Sequence, residues 1–214
     1  MLRLVLALGL TTIALCGQGR DKPRGTSGEF DFYLLSLSWS PQFCSSPAGS
    51  HDNTQCGQRQ YEFVLHGLWP QYEKSWPQFC STSQTLGNPL VDKMMDIMPS
   101  RRLIRHEWEK HGVCSGLSAA EYFAKARTAF GNVKIPGGFQ SPRNARTVAP
   151  AKIRDEFAAA NPNVVKEAIT VGCAGRFLSE IRICLGKDLK ARACSAEVQR
   201  QGCRVPEIIV QPLR

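Results

Sequence analysis

The chain has 214 residues, of which 43% are hydrophobic and 21% are charged. This balance is typical of a globular protein, and it excludes an intrinsically disordered chain, a collagen, a coiled coil and a protein with several membrane spans. Lys and Arg outnumber Asp and Glu by 27 to 18, so the formal charge is +9. That charge suits a polyanionic partner, although many secreted proteins are also basic.

Residues 1–17 predict a secretory signal peptide that is cleaved between positions 16 and 20. Arg3 gives a positive start, and an almost wholly apolar run follows it. This run of about 12 residues is shorter than the roughly 20 that a membrane-spanning helix needs. Cys16 leaves a lipoprotein signal open as the alternative, which the large Leu15 before it disfavours.

Removing the signal peptide leaves a mature protein with a polar N-terminal segment, residues 18–29, which we expect to be flexible. We expect this protein to be secreted or periplasmic and to have no contact with the membrane. Of the nine Cys in the sequence, eight remain after cleavage: Cys44, Cys56, Cys80, Cys114, Cys173, Cys184, Cys194 and Cys203. None has the close C-x-x-C spacing of a zinc ribbon, so four disulfides are favoured over a metal site, with their pairing left open.

The first half of the mature chain predicts strands followed by helices. A largely apolar run from Phe30 to Pro41 and a second one at 61–65 predict buried strands, and the second continues into a His-Gly-Leu-Trp-Pro sequence. The stretch 44–59 is rich in Ser, Gly and Asn and predicts a loop. Helices are predicted at 90–98, 101–113 and 118–130, the last opened by a capping box of Ser118 and Glu121.

The second half predicts two helices and then a series of strands. Residues 131–150 are rich in Gly and Pro and predict an extended loop. Helices are predicted at 150–160 and 163–169, and strands at 177–185, 187–194 and 205–210. Because no repeat, low-complexity tract or linker interrupts the chain, we predict one α+β domain over residues 30–214, with helices packed on a sheet.

Two compact segments contain three of the four His: His66-Gly-Leu-Trp-Pro and His106-Glu-Trp-Glu-Lys-His111. On a helix, His106, Lys110, Glu107 and His111 lie at about 0°, 40°, 100° and 140°, so they share one face. Imidazole both donates and accepts protons near neutral pH, and an ammonium group beside it offsets charge that grows on phosphoryl oxygens. The pattern therefore favours acid–base chemistry on a phosphodiester.

A metalloprotease is the alternative interpretation of this segment. Zinc proteases use His-Glu-x-x-His, in which the two imidazoles are four residues apart and point to one ion. Here the two His are five residues apart and about 140° around the helix, which converges poorly on a metal.

The two segments closely resemble the active-site segments of the ribonuclease T2 family. The resemblance also covers Ser38-Trp39-Ser40-Pro41 with Cys44 after it, and the late cysteines from Cys173 to Cys203. It therefore spans roughly residues 30 to 210, and it rests on two long motifs in the order that the family has.

The resemblance implies an α+β fold around an antiparallel sheet, and RNA cleavage without a metal or other cofactor. In that mechanism the ribose 2′-hydroxyl attacks the adjacent phosphorus and leaves a 2′,3′-cyclic phosphate, which water opens to a 3′-phosphate. His111 would be the general base and His66 the general acid. Glu107 and Lys110 would stabilise the transition state, and His106 would hold the phosphate.

The resemblance also concerns the substrate base and the disulfides. Trp69 is expected to stack on a base, unless it is only a core residue, and Gln71 stands where the family often has Asp. We therefore expect weak base specificity. The disulfides implied by the family are Cys44–Cys56, Cys80–Cys114, Cys173–Cys203 and Cys184–Cys194.

These observations predict a monomeric endoribonuclease acting on single-stranded RNA, because stacking needs an unpaired base and attack needs a free 2′-hydroxyl. Two other functions stay open from the sequence. One is a catalytically idle RNA-binding or cytotoxic protein that retains the fold, and the other is a metal-dependent hydrolase. Activity would separate the first from an enzyme, and sensitivity to a chelator would separate the second.

Overall fold

The structure, a computed structural model, describes residues 22–213, so the predicted signal peptide at 1–17 lies outside the described residues. Within the described range the chain forms seven α-helices and six strands. The strands are β1 Phe32–Trp39, β2 Phe63–Gln71, β3 Arg146–Val148, β4 Ile169–Ala174, β5 Phe177–Leu185 and β6 Ile208–Val210. The helices are α1 Ser40–Cys44, α2 Asn53–Cys56, α3 Asn88–Met94, α4 Arg101–Lys110, α5 Ala119–Gly131, α6 Pro150–Ala160 and α7 Ala196–Arg200.

All six strands belong to one sheet with the order β2-β1-β5-β6-β3, and β4 pairs with β5 beside this path. The pairs β1–β2, β1–β5, β4–β5 and β3–β6 are antiparallel, while β5 and β6 meet in parallel at Phe177 and Ile209. The structure thus confirms the predicted α+β fold with a largely antiparallel sheet.

The two faces of the sheet bury different residues. On one face Leu35, Leu37 and Ile183 belong to the main hydrophobic core, and each is fully buried. Trp108, Tyr122, Phe123 and Phe157 from the helices belong to the same core. On the opposite face Phe32, Leu34, Cys184, Cys194 and Val198 form a second, smaller cluster against which Trp69 packs. The candidate site described below borders this second face of the sheet.

The helix predicted at 163–169 is wrong. Residues Lys166–Ala168 form a short 3-10 helix, and Ile169 begins β4, which pairs with β5. Asn161-Pro162 resembles a helix start, but Ile169, Thr170 and Val171 are β-branched and gain a full ladder with β5. Pairing with a distant strand here outweighs the local signal.

The strand predicted at 187–194 is also wrong. The N–H of Gly186 donates to the carbonyl of Lys190, and Leu189 has a φ of 67°, which makes this segment a tight turn. A disulfide joins Cys184 to Cys194 across the turn, and the only bridge to a strand is at Ala191. The strand predicted at 61–65 continues through the His-Gly-Leu-Trp-Pro sequence to Gln71, and the predicted loop at 131–150 contains the strand β3. The remaining strand and helix predictions are confirmed within a few residues of their ends, including the capping box of Ser118 and Glu121. The predicted loop at 44–59 contains the short helix α2 and a 3-10 turn.

Four disulfides join Cys44 to Cys56, Cys80 to Cys114, Cys173 to Cys203 and Cys184 to Cys194. These are the pairs that the resemblance implies. The described part of the N-terminal segment is attached to the domain, because Arg24 exchanges two backbone hydrogen bonds with Gln78, and Gly28 donates to the carbonyl of Cys114. In the part of the chain that the structure describes, no helix is long and apolar enough to cross a membrane.

Candidate active site

A β-bulge in β2 brings His66 and Trp69 to the same face of the sheet. In the pairing of β1 with β2, Ser36 is opposite Gly67 and Leu37 is opposite Leu65, so His66 has no partner. Residues three apart on a regular strand point to opposite faces. The extra residue changes that alternation, and both rings line one cavity. The sequence does not reveal this bulge, because it depends on the register with β1.

Helix α4 supplies the second half of the site. The Ser100 hydroxyl accepts a hydrogen bond from the N–H of Leu103 and caps the start of the helix. The helix ends at Lys110, and His111 is its C-cap residue, with a φ of −116°. Trp108 is buried in the core and anchors the helix. His106, Glu107 and Lys110 therefore stand on helical positions, while the backbone of His111 has left the helix.

The two segments meet at one cavity of about 320 Å³. All seven residues that the sequence marks as catalytic or base-binding line it: His66, Trp69, Gln71, His106, Glu107, Lys110 and His111. Two other cavities, of about 530 and 590 Å³, are lined by none of the four His. The chemistry of the side chains, rather than cavity size, identifies the site.

Glu107 joins the two segments. The Trp69 Nε1–H donates a hydrogen bond to Glu107 Oε2 at 2.5 Å, and Glu107 Oε1 lies 3.7 Å from His66 Nε2. This approach explains Gly67, where an added Cβ would lie 2.0 Å from Glu107 Oε2. Only a residue without a side chain lets the carboxyl group of α4 reach across β2.

Burial raises the pKa of Glu107 to about 8, while the hydrogen bond from Trp69 and the charge of Lys110 act in the other direction. The Glu107 side chain is only 2% exposed. Its carboxyl group is consequently neutral over most of the acidic and neutral range, and a neutral carboxyl group can donate a hydrogen bond as well as accept one.

The ring of His111 lies against Trp69, with centroids 5.3 Å apart and an angle of 30° between the planes. Burial is the main cause that lowers the pKa of His111, and with the neighbouring Lys110, His106 and His66 it brings that pKa to about 3. Its buried Nδ1 has no hydrogen-bond partner within residues 22–213. Protonation would therefore bury a charged ring without an acceptor, so the neutral imidazole is the stable form, ready to accept a proton.

His66 is more exposed than His111, at 35% of its side chain, and its ring stands edge-on to Trp69 with centroids 5.1 Å apart. Its Nδ1 lies 3.2 Å from the Ser38 hydroxyl. Burial lowers the pKa of His66, Glu180 raises it, and Arg182 and His106 lower it further. The two imidazoles thus occupy different electrostatic surroundings, which is what a division into acid and base requires.

Trp69 and Gln71, the predicted base-binding residues, are more constrained than the sequence suggests. Trp69 is half-buried, donates to Glu107 and lies near Arg182, whose guanidinium is 5.7 Å from the ring centroid. Gln71 is 6% exposed, and its Nε2 donates to the carbonyl of Pro70. Trp69 therefore holds catalytic candidates in place in addition to any contact with a base.

Sequence reasoning missed three residues that line the same cavity: Trp76, Arg182 and Gln201. Trp76 belongs to a loop that is fixed to the end of α4, because the N–H of Phe79 donates to the carbonyl of Lys110 and Cys80 is bonded to Cys114. The alternation of Glu180 and Arg182 with Ile181 and Ile183 in β5 indicates a polar face. That alternation gives no sign of which residues the face meets.

Within the described residues no group of three or more His, Cys, Asp or Glu side chains is arranged to hold a metal ion. The arrangement offers two imidazoles on different elements, a neutral carboxyl group and an ammonium group around one cavity. Such a set can move protons on both sides of a reacting centre and stabilise an anion between them.

The sequence and the fold are similar to those of known proteins. The ribonuclease T2 family model matches residues 30–194. A ribonuclease from Aeromonas hydrophila is 35% identical over 223 residues, covering 100% of both chains. Among solved structures, an RNase-related protein from Calystegia sepium has a TM-score of 0.70 at 22% identity, covering 86% of this chain and 98% of that one. RNase NT in complex with 5′-AMP has a TM-score of 0.67 at 24% identity, covering 87% and 100%.

The family match covers most of the chain, and the bacterial relative is similar over its whole length. The chain belongs to the ribonuclease T2 family.

Proposed function

We propose that this endoribonuclease cleaves single-stranded RNA with low base specificity and without a metal ion. The reaction is transphosphorylation to 2′,3′-cyclic phosphate ends, followed by hydrolysis to 3′-phosphate ends. The observation that carries the proposal is the meeting of His66 and His111, from two distant segments, at one cavity. Glu107 and Lys110 line the same cavity.

His111 is the general base of the first step. Its lowered pKa of about 3 keeps the imidazole neutral in mildly acidic solution, so it accepts the proton of the ribose 2′-hydroxyl. The 2′-oxygen forms a bond to phosphorus, and the bond from phosphorus to the 5′-oxygen breaks. His66 donates a proton to that leaving oxygen. In the second step the roles reverse: His66 accepts a proton from water, and the water oxygen forms a bond to phosphorus. The bond from phosphorus to the 2′-oxygen breaks, and His111 returns its proton to that oxygen.

Lys110, Glu107 and His106 stabilise the phosphoryl group between the two imidazoles. Charge builds on the non-bridging oxygens in the phosphorane-like transition state, and the Lys110 ammonium offsets it. Glu107 contributes as a hydrogen-bond donor, because its raised pKa of about 8 keeps it protonated at acidic pH. His106, which lines the outer part of the cavity, holds the phosphate in the ground state.

Aromatic rings rather than polar side chains recognise the base. Trp69 and Trp76 both line the cavity, and every base has a π-face on which such a ring stacks. Gln71 contributes little reading of base edges, because its amide is buried and already donates to the carbonyl of Pro70. The side chains expected to contact the base thus offer few polar groups without a partner, and this favours low base specificity.

The place of action is the periplasm or the extracellular space, where the four disulfides are stable. The enzyme works there as a monomer with single-stranded RNA as its substrate. The formal charge of the mature chain, near +8 once Arg3 is removed with the signal peptide, favours association with the phosphate backbone and makes binding sensitive to salt.

The test is to incubate the purified, oxidised mature protein with single-stranded RNA in excess EDTA and to identify the product ends by mass spectrometry. We expect 2′,3′-cyclic phosphate and 3′-phosphate ends with 5′-hydroxyl partners. Intact RNA from folded protein would overturn the proposal in favour of an idle RNA-binding protein. Cleavage that appears only after a divalent metal is added would favour a metal-dependent hydrolase instead.

A further inference from the structure

Two charged residues on the cleft face of β5 take no part in the chemistry proposed above. Glu180 and Arg182 are largely buried, with side chains 16% and 18% exposed, and they form an ion pair at 2.7 Å. Burying two charges is costly unless they are fixed in good geometry and satisfied by hydrogen bonds. Their presence beside an active site therefore calls for a functional explanation.

The carboxylate of Glu180 is held in one position by three strands. Ser36 on β1 donates its hydroxyl to Glu180 Oε2 at 2.7 Å, and Arg182 donates to Oε1 at 2.7 Å. On β4, Gly172 stands opposite Glu180, and an added Cβ there would lie 2.5 Å from Glu180 Cγ. A glycine at that position makes room for the side chain, and the serine and arginine fix its charge.

This carboxylate faces the general acid across β1. Ser38 is paired with Glu180 in the β1–β5 ladder, and the Ser38 hydroxyl lies 3.2 Å from His66 Nδ1. When His66 is protonated, its Nδ1–H has the Ser38 oxygen as acceptor, and Nε2–H remains for the leaving oxygen. Because of the bulge His66 has no partner in the β1–β2 ladder, and its ring contacts Ser38 on the neighbouring strand β1.

We propose that Glu180 is a positioning residue for His66: its fixed negative charge stabilises the protonated imidazole that must deliver a proton to the leaving 5′-oxygen. Arg182 holds the carboxylate in place, and its positive charge partly offsets the stabilisation of the protonated imidazole. The inference rests on the proposed function, since it assigns Glu180 a role toward the general acid of that reaction.

The electrostatic surroundings of His66 support this assignment. The charged and titratable groups around it come from β5, from α4 and from the residue that caps the end of α4: Glu180, Arg182, His106, Glu107, Lys110 and His111. Glu107 is the nearer carboxyl group, but burial raises its pKa to about 8, so it is neutral while the enzyme works at acidic pH. Burial acts to raise the pKa of Glu180 too, yet Arg182 and Ser36 outweigh it and hold the pKa below its ordinary value. Glu180 is therefore the ionised carboxylate that favours the imidazolium.

The experiment replaces Glu180 by Gln, which keeps the shape of the side chain and removes its charge. The pKa of His66 is read from its imidazole NMR signals, assigned by their loss in His66→Ala, and kcat/KM is measured against pH on single-stranded RNA. In E180Q we expect the pKa of His66 to fall by about half a unit or more. The alkaline limb of the pH profile should move to lower pH by the same amount. The loss of kcat/KM then grows with pH, to about threefold or more at neutral pH.

Glu156→Gln is the matched control. Glu156 pairs with Arg146 through two hydrogen bonds, at 2.9 and 3.0 Å, and this pair is also partly buried but lines no part of the catalytic cavity. E156Q should leave both the titration of His66 and the alkaline limb in place. Arg182→Gln serves as the second variant, because loss of the cation is expected to move the pKa of His66 upward, opposite to E180Q.

The inference is overturned if the pKa of His66 is unchanged in E180Q, or if E156Q lowers it equally. A uniform loss of activity at every pH, without a shift, would mean that Glu180 only supports the fold. If E180Q does not fold, an R182Q protein in which the pKa of His66 fails to rise would overturn the inference as well. The NMR titration needs no RNA, so a wild-type protein that cleaves no RNA would remove the proposed function without deciding this test.

Discussion

The two faces of the central sheet differ sharply, although both are built from β2, β1 and β5. On the core face, Leu35, Leu37 and Ile183 are fully buried among helices. On the cleft face, alternate positions of β1 and β5 carry Ser36 and Arg182 instead. The same backbone ladder thus supports one face that is wholly apolar and holds the fold together, and a second face that combines the smaller apolar cluster with polar side chains and borders the candidate active site. A substitution on one face should change stability, and one on the other should change rate.

The largest expected effect is the loss of catalytic rate when a histidine of the active-site cleft is replaced. Replacing His66 or His111 by Ala removes a proton donor or acceptor, and we expect kcat/KM to fall at least ~100-fold while RNA binding is largely kept. His51→Ala is the control, since His51 is the exposed last residue of a 3-10 turn and does not line the cavity. Near-normal cleavage by either His variant, with a native circular dichroism spectrum, would remove that residue from the acid–base pair.

The core face should respond in the opposite way. Leu35→Ala deletes a fully buried side chain and is expected to lower the free energy of unfolding by about 2–5 kcal/mol. Urea unfolding of the oxidised protein measures this change. Because Leu35 faces away from the cavity, kcat/KM of the folded variant should stay close to wild type. A large rate loss in folded protein would break the separation of the two faces.

Glu107 affects both the catalytic rate and the stability of the fold. The stability change expected from replacing it is smaller than the effects of the His and Leu35 substitutions. The folded protein holds the pKa of Glu107 at about 8, above its ordinary 4.5. The unfolded chain thus loses this proton first as pH rises, so the contribution of Glu107 to stability is fully present below about pH 4.5 and is lost as the pH rises toward 8. Gln does not titrate, so the Tm of E107Q minus that of wild type should grow over this window.

Thermal unfolding at several pH values checks this prediction, and activity assays of the same protein should show a loss of kcat/KM. A Tm difference that is independent of pH would show that Glu107 is ionised in the folded protein. A gain in stability with a loss of rate would identify Glu107 as a residue retained for chemistry at the expense of the fold.

The sequence carries enough information for the fold class, most elements and all of the side chains in the two motifs. Helix α4 and strand β5 have clear local periodicity, and the capping box at Ser118 marks the start of α5. Local signals failed where a distant partner decides the outcome. Residues 163–169 resemble a helix start, but the ladder with β5 makes part of them a strand.

Parts of the site were not predicted from the sequence for the same reason. The bulge at His66 depends on the register between β1 and β2, which the sequence of β2 alone does not define. Glu180 and Arg182 lie more than 100 residues from His66 along the chain, and only the sheet brings them to it. The two motifs contain the groups proposed to react. Pairing between distant strands brings to them the residues proposed to shift their pKa values.

The pH dependence of kcat/KM for the wild-type protein on single-stranded RNA tests the central claim most directly. A neutral His111 and a protonated His66 are both required, so the rate should rise with pH through the His111 pKa of about 3. It should fall again at a pH below 6.5, because burial lowers the pKa of His66 from that ordinary value. A bell with its maximum in mildly acidic solution is the predicted result. A rate that still rises above pH 9 would contradict the two-imidazole account.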